Sequence, residues 1–229
     1  MRPATAIEGA EEWRTVAPTG VAFADARTIV RKVDDEGLKE MMSQVLEASR
    51  QLATAKVDLI VQCGAPGTFL RGKGHDEQVV EEIKAETGIP AITMMQAMME
   101  GLHALDAKKI AVGTIYSDEV NVKMTEYMEA HGFEVVGMDG LQITDPYEAS
   151  LHDADSAYRL GRDVFRKSPG ADAILISCGT YRSFPIIPYL EMDTGVPVVT
   201  SNQATLWHAL RTLGLPDQIP DLGKLWTAA

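Results

Sequence analysis

The sequence predicts an α/β protein with parallel sheets, and two observations carry that prediction. Apolar runs of strand length alternate with amphipathic helical segments along the chain of 229 residues. The chain also resembles itself, because an apolar run ending in Cys-Gly occurs at 57–64 and again at 172–179. Thr-Gly-x-Pro segments follow these runs, at 87–90 and 194–197. We therefore expect two related halves, each with one buried strand that ends in Cys-Gly.

The first half is predicted to contain three strands. Its clearest helix carries Leu38, Met41, Val45 and Leu52 at helical spacing. In chain order, the expected elements are a helix within 1–13, a strand near 20–30, a helix that follows Asp35 and runs through Leu52, a strand at 57–62, a helix at 75–86, a strand at 89–93 and a helix at 96–105.

The second half is predicted to contain four strands. Ser117 and Asn202 are suited to cap helices, and Pro146 is suited to the first turn of a long helix. In chain order, the expected elements are a strand at 109–115, a helix at 118–131, strands at 133–136 and 172–177 with a helix at 146–166 between them, a short helix from 183, a strand at 196–200 and a helix at 202–213. The turn-rich tail is expected to pack Leu222, Leu225 and Trp226 on the surface.

The strand counts of the two halves differ by one. If the halves are true repeats, the first half lacks its first strand, and internal symmetry puts that strand before Met1. Either the sequence begins one strand late, or the first half is incomplete. The expected division is a first lobe over 1–106, a second lobe over 107–215 and a tail over 216–229. The last helix of the first lobe is in a position to pack on the second.

Composition limits the partners. The net charge of −12 argues against nucleic acid or an anionic membrane surface, but not against a small carboxylate bound by local donors. No run is long enough to span a membrane, and no secretory signal is recognisable, so we expect a cytoplasmic protein. Two cysteines are too few for a disulfide framework, and CxxC, HExxH and dinucleotide motifs are absent. We expect neither a metal nor a cofactor. The sequence does not decide whether the protein forms a homo-oligomer.

Cys178 is the strongest candidate for chemistry. In a parallel sheet, ligands bind beyond the carboxyl ends of the strands, and a thiol beside free backbone N–H groups has a lowered pKa in favourable cases. No histidine falls at a strand end, which favours proton transfer by the thiol over acyl transfer, although buried cysteines are often inert. Neighbouring strand ends supply the donors expected to hold a carboxylate: Gly179, Thr180, Tyr181, Thr114, Tyr116, Thr200, Ser201 and Asn202.

The chain resembles the Asp/Glu racemase superfamily, in the branch that holds arylmalonate decarboxylase and maleate cis-trans isomerase. The resemblance spans about 37–213 and is best at 114–121, 176–179 and 195–204. It implies two lobes related by a pseudo-twofold axis, a cofactor-free site between them, and cysteine-mediated proton transfer on a small carboxylate. Cys178 matches the catalytic cysteine of the second lobe, and Tyr116 matches a tyrosine that contacts the substrate carboxylate.

The first lobe departs from the family pattern. Counting back from Thr68 puts Gly64 where racemases and maleate isomerases have their other cysteine, with Cys63 one residue earlier. Arylmalonate decarboxylase also has glycine there, but its Thr-Ser donor pair falls on Ala65 and Pro66, for which Thr68 substitutes in part. A one-residue loop insertion would instead return Cys63 to the site. The family's first strand, with an asparagine that contacts substrate in the isomerase branch, would lie before Met1.

Three hypotheses follow for function. The first is an isomerase or racemase in which Cys63 and Cys178 flank a planar intermediate or one of them adds to a double bond. The second is a decarboxylase of the arylmalonate type that uses Cys178 alone as proton donor. The third is a carboxylate-binding protein without catalytic activity.

Overall fold

The computed structural model describes residues 1–216 and 218–228, and over these residues strands and helices alternate as predicted. The strands are β1 (Arg2–Pro3), β2 (Arg27–Thr28), β3 (Ile60–Gln62), β4 (Ala91–Thr93), β5 (Lys109–Thr114), β6 (Glu134–Gly140), β7 (Ala173–Ser177) and β8 (Val198–Thr200). The helices of the first half are α1 (Glu8–Val16), α2 (Asp35–Ser43), α3 (Val45–Thr54), α4 (Pro66–Phe69), α5 (His75–Thr87) and α6 (Met94–Ala104). Those of the second half are α7 (Asp118–Ala130), α8 (Pro146–Ser150), α9 (Ala154–Lys167), α10 (Ile187–Thr194) and α11 (Ser201–Thr212), with 3₁₀ turns at Phe184–Ile186 and Lys224–Thr227.

The second sheet has the strand order β6-β5-β7-β8, with every pair parallel. Strand β7 is buried along its whole length, as an apolar run between two neighbouring strands should be. Its register puts Ser177 opposite Thr114 of β5, so both strands end at the same edge of the sheet. Cys178 therefore stands at that edge.

The first half repeats this order with two parallel strand pairs that Met1 connects. Strand β1 pairs with β2, and β3 pairs with β4, both in parallel. Met1 joins the two pairs, because its ammonium group donates to the Val61 carbonyl (2.7 Å) and its carbonyl accepts from the Cys63 N–H (3.0 Å). The order β2-β1-β3-β4 thus matches β6-β5-β7-β8. The strand that internal symmetry put before Met1 has its counterpart in Met1 and β1, which corrects that expectation.

Two predicted helices are interrupted, each by a polar side chain that bonds to backbone. Gln44 separates α2 from α3, and its amide exchanges hydrogen bonds with the Ile29 N–H (2.9 Å) and carbonyl (3.0 Å). Asp153 begins α9 by accepting from the Ser156 N–H (2.9 Å), which ends the helix that opens at Pro146. Asn202 is not the cap of α11. Thr200 is, in a reciprocal capping box with Gln203.

The two halves are tied together by packing and by buried polar bonds. Helix α6 packs against α11. Tyr127 of α7 donates to the carboxylate of Asp76 in α5, which also accepts from the Thr93 hydroxyl (2.6 Å). In the tail, Leu225 and Trp226 are buried, and Gln203 binds the Leu222 carbonyl (2.7 Å).

The predicted division into 1–106, 107–215 and 216–229 falls between elements, since α6 ends at Ala104 and β5 begins at Lys109. We propose these boundaries for the two lobes and the tail, and use "lobe" in that sense below. Among the described residues, no helix is both long and apolar enough to cross a membrane.

Candidate active site

Both cysteines line one cavity between the lobes. Cys63 follows β3 and Cys178 follows β7, so each stands at the carboxyl end of a parallel strand. The cavity has a volume of about 60 Å³ and opens to the surface. A ligand in it would meet one thiol from each lobe.

The Cys178 thiol is held by the loop that follows it. Its Sγ lies 2.7 Å from Thr180 Oγ1 and accepts from the Thr180 N–H at 3.4 Å. Burial raises the pKa of Cys178, although the contacts with Thr180 and Tyr181 act in the opposite direction. The expectation of a lowered pKa for the thiol at this strand end is therefore wrong. At neutral pH, Cys178 is a thiol and can donate a proton.

Tyr116 lies on the same cavity wall, shortly after β5 ends at Thr114 in the sequence. Burial raises the pKa of its phenol, and the nearby Cys178 adds to the shift. The ring packs against Phe69 of the other lobe at a centroid distance of 6.1 Å. Tyr116 is thus a neutral O–H donor at any ordinary pH. Gly179 and Thr180 complete this predicted part of the wall.

The first-lobe wall is formed by 63–66. Gly64 has φ +110°, a conformation that favours glycine, and it turns the chain along the cavity after Cys63. Ala65 and Pro66 line the cavity but bring no hydroxyl. Cys63 and Gly64 both reach the cavity, so the structure brings Cys63 into the candidate site.

Several predicted donors do not line the cavity, because their polar groups are used inside the protein. The Thr68 hydroxyl donates to the Ala65 carbonyl (3.0 Å), and the Thr114 hydroxyl donates to Asn121 (2.7 Å). Ser201 contacts Met98 Sδ (3.2 Å). The predicted residues that do not line the cavity are Thr68, Thr114, Tyr181, Thr200, Ser201 and Asn202.

The N-terminal segment was missed as part of the site, because symmetry put the first strand before Met1. Arg2, Pro3, Thr5 and Ala6 line the cavity. The Thr5 hydroxyl is buried and has no partner among the described residues. The Arg2 guanidinium bonds to Asp25 (3.1 Å) and lies over the Trp13 ring (4.4 Å). Neutral O–H and N–H groups on the same wall are further donors for a ligand carboxylate.

The rest of the wall is apolar and comes from both lobes. Loop and helix residues that sequence patterning could not assign to the site form it. They are Val30, Val33, Leu38, Met41, Met94, Ile115, Pro146 and Ala149. In such surroundings, hydrogen bonds to a developing charge are stronger than in water.

Glu12 of α1 is a buried carboxylate next to the loop after Cys178. It accepts from the backbone N–H groups of Ser183 and Phe184, the latter at 2.7 Å, from the Ser183 hydroxyl (3.4 Å) and from the Asn202 amide (2.9 Å). Burial raises the pKa of Glu12 to about 7, in spite of these hydrogen bonds. The burial of Glu12 could not be predicted from the sequence, because Glu8, Glu11 and Glu12 together look like a solvated helix face.

The raised pKa of Glu12 predicts a pH-dependent stability difference. The folded state holds the Glu12 proton more tightly than the unfolded state, so the contribution of Glu12 to stability falls as pH rises from 4.5 to about 7. The loss is on the order of 3 kcal/mol. Glu12→Gln cannot titrate. Urea denaturation should show that the free energy of unfolding of the variant, relative to the wild type, rises by about that amount between pH 5 and pH 8. A difference that does not depend on pH would contradict the burial argument.

No group of His, Cys, Asp and Glu side chains suited to hold a metal occurs in the part of the chain that the structure describes. Both thiols are free. The polar side chains that line the cavity supply two thiols, one phenol, two hydroxyls and the Arg2 guanidinium.

Comparison with known proteins covers both lobes. A family model described as arylmalonate decarboxylase matches residues 5–226. The chain is 30% identical over 182 residues to arylmalonate decarboxylase of Bordetella bronchiseptica, covering 80% of this chain and 76% of that one. It is 28% identical over 224 residues to maleate isomerase of Pseudomonas putida, covering 94% and 88%. The solved structure of maleate isomerase Iso from Pseudomonas putida S16, a cysteine-to-alanine variant with maleate, has a TM-score of 0.92 at 25% identity, covering 100% and 98%.

Proposed function

Because this chain belongs to the arylmalonate decarboxylase family, we propose that it is a cysteine-dependent isomerase or racemase of a small carboxylate that needs no cofactor. The observation that carries the proposal is the pair of thiols, Cys63 and Cys178, on one cavity. A relative named maleate isomerase, similar over 94% of this chain, makes an unsaturated dicarboxylate the first substrate to test.

The two thiols take different roles in the proposed reaction. In an isomerisation, Cys63 gives its thiol proton to solvent and its sulfur adds to one alkene carbon; the π electrons move into the adjacent carboxylate, and the Cys178 thiol protonates the resulting enediolate at carbon. After rotation about the new C–C single bond, the Cys178 thiolate removes that proton again, the electron pair re-forms the alkene, the C–S bond breaks and the trans isomer is released. In a racemisation, Cys63 instead removes the α-proton and Cys178 supplies one to the opposite face. Neither sequence changes the atoms or electrons of the substrate. After a racemisation the enzyme has a proton on Cys63 and none on Cys178, and proton exchange with solvent restores the starting state.

Neutral donors on the cavity wall stabilise the enediolate. The phenol of Tyr116 and the hydroxyls of Thr180 and Thr5 are the side-chain donors, and the Gly179 N–H adds a backbone donor. These groups are fixed before the charge develops, so little reorganisation is needed in the transition state. The apolar wall strengthens each bond by excluding water.

A decarboxylase is the second candidate, and the apolar wall favours it. That wall could take the aryl group of an arylmalonate, a substrate class that the name of the 30%-identical relative indicates. Loss of CO₂ would leave the bonding pair as an enediolate, and the Cys178 thiol would protonate it. Cys63 has no necessary part in that reaction.

An NMR experiment tests the proposal. Maleate, aryl malonates and 2-substituted carboxylates would be incubated separately with the enzyme in D₂O. We expect conversion of a cis to a trans dicarboxylate, or deuterium entry at the α-carbon with loss of optical purity. Release of CO₂ from aryl malonates alone would favour the decarboxylase. Saturable binding without turnover or deuterium exchange would leave the binding-protein hypothesis standing.

We also propose the cytoplasm as the location of the protein. Cys63 and Cys178 are both free thiols, and the proposed mechanism needs them reduced.

A further inference from the structure

One face of α1 lies against the loop that carries Cys178. Gly9, Glu12 and Trp13 recur at helical spacing, and all three contact residues of the second lobe. We call residues 178–184 the site loop. A helix of the first lobe therefore forms the outer support of a loop in the second.

Gly9 brings the helix close to the beginning of the site loop. A Cβ at this position would lie 2.7 Å from the Gly179 carbonyl oxygen and 2.7 Å from Asn202 Oδ1. Real Cβ atoms do not approach a backbone oxygen that closely, so any larger residue would push the helix and the loop apart.

Glu12 holds the other end of the site loop. Its carboxylate accepts from the N–H groups of Ser183 and Phe184, and from the Asn202 amide. The same Asn202 amide donates to the Tyr181 carbonyl (2.9 Å), and Trp13 Nε1 donates to the Asn202 carbonyl (2.8 Å). The backbone of the loop is thus fixed at its middle and at its end by one connected network.

We propose that Glu12 is a positioning residue, which holds the site loop so that the Cys178 thiol and its partner Thr180 keep the geometry needed for proton transfer. The proposal rests on the function proposed above. Glu12 does not line the cavity, and its oxygens accept from Ser183, Phe184 and Asn202, so it is not assigned the role of proton donor. Its effect on the reaction passes through the backbone of the loop.

The charged groups around Glu12 do not replace these bonds. Glu8, Glu11, Arg182 and Asp221 border the same surface hollow as Glu12. Arg182 faces Glu8 at 3.9 Å, and Glu11 pairs with Arg14 at 2.8 Å. The hydrogen bonds to the Glu12 carboxylate come from neutral donors, so its protonation would remove acceptor capacity from the network.

The test uses full-length variants with two independent readouts. Glu12→Ala removes the acceptor, Glu12→Gln keeps the shape and one amide oxygen, and Gly9→Ala displaces the helix without touching the carboxylate. Glu11→Ala is the matched control on the exposed side of the same helix, with a side chain 61% exposed. The readouts are kcat/KM on the active substrate and the rate of iodoacetamide labelling of Cys178, followed by peptide mass spectrometry.

Glu12→Ala and Gly9→Ala are expected to lower kcat/KM by about 100-fold, mainly in kcat, because a small displacement of reacting groups has an effect of that size. Glu12→Gln should recover much of the loss, and Glu11→Ala should match the wild type. The Cys178 labelling rate should change in Glu12→Ala and Gly9→Ala only. If both keep wild-type kcat/KM and labelling while folded, the positioning role is wrong.

The pH profile distinguishes positioning from mere structural support. As pH falls through about 7, Glu12 takes up a proton, and the wild type should lose activity relative to Glu12→Gln. A constant ratio between the two across pH 5.5–8.5 would overturn the proposal even if Glu12→Ala does not fold. If no substrate is turned over, the proposed function has failed, and the labelling ratio still decides the positioning role.

Discussion

Cys178→Ala is expected to reduce kcat/KM by about 10³-fold or more in any of the proposed reactions, since proton transfer by a positioned group typically contributes 10²- to 10⁴-fold. Burial keeps Cys178 in its thiol form, and Thr180 holds its Sγ at 2.7 Å. No other residue is expected to deliver the proton from this position. Steady-state kinetics on the substrate identified by NMR measures the effect.

Cys178→Ser serves as the shape-conserving control. Its hydroxyl can keep the contact with Thr180 but is a much weaker acid than a thiol. We expect it to fold like the wild type by circular dichroism, to bind substrate with similar affinity and to remain nearly inactive. Activity within 10-fold of the wild type in both variants would exclude Cys178 as the proton donor.

Cys63→Ala is expected to separate the two candidate reactions. An isomerase or racemase should lose about 10³-fold in kcat/KM, because either the nucleophile or the proton acceptor is gone. A decarboxylase should retain nearly full activity, because Cys178 alone protonates its intermediate. Both activities would be measured on the same preparation, with CO₂ release followed alongside the NMR assay.

Gly64→Ala provides a neighbouring control for Cys63→Ala. Gly64 also lines the cavity, but it has φ +110° and its added Cβ would lie 3.1 Å from Met41 Cε. This change should lower stability through backbone strain, with binding affected more than the chemical step. Near-wild-type isomerisation by Cys63→Ala would contradict the mechanism with two thiols.

The strand that ends in Cys178 could be predicted because a buried parallel strand leaves a continuous apolar run. The two-residue β1 could not, since Arg2 and Pro3 are too few to form any pattern. Strand-end hydroxyls such as Thr114 and Thr200 misled the site prediction for a different reason. Side chains of this kind equally well cap helices and turns, and only the structure distinguishes the two uses.

The burial of Glu12 could not be predicted from the sequence of its own helix. Its neighbours Glu8 and Glu11 remain at the surface, and only the approach of the second lobe buries Glu12. A charge that becomes buried through contact with a distant segment carries no local signature. The equivalent positions of Cys63 and Cys178 in the two halves could be predicted from the sequence, because internal repetition is a long-range signal.

The buried bonds between the lobes run in both directions. Glu12 of the first lobe supports the site loop of the second, and Tyr127 of the second binds Asp76 of the first. In each lobe, buried polar groups therefore form hydrogen bonds with a side chain of the other lobe. Such reciprocal exchange couples the two halves into one cooperative folding unit. A chain of half this length would leave some buried donors or acceptors without hydrogen-bond partners. It would regain those partners only by associating with a second half.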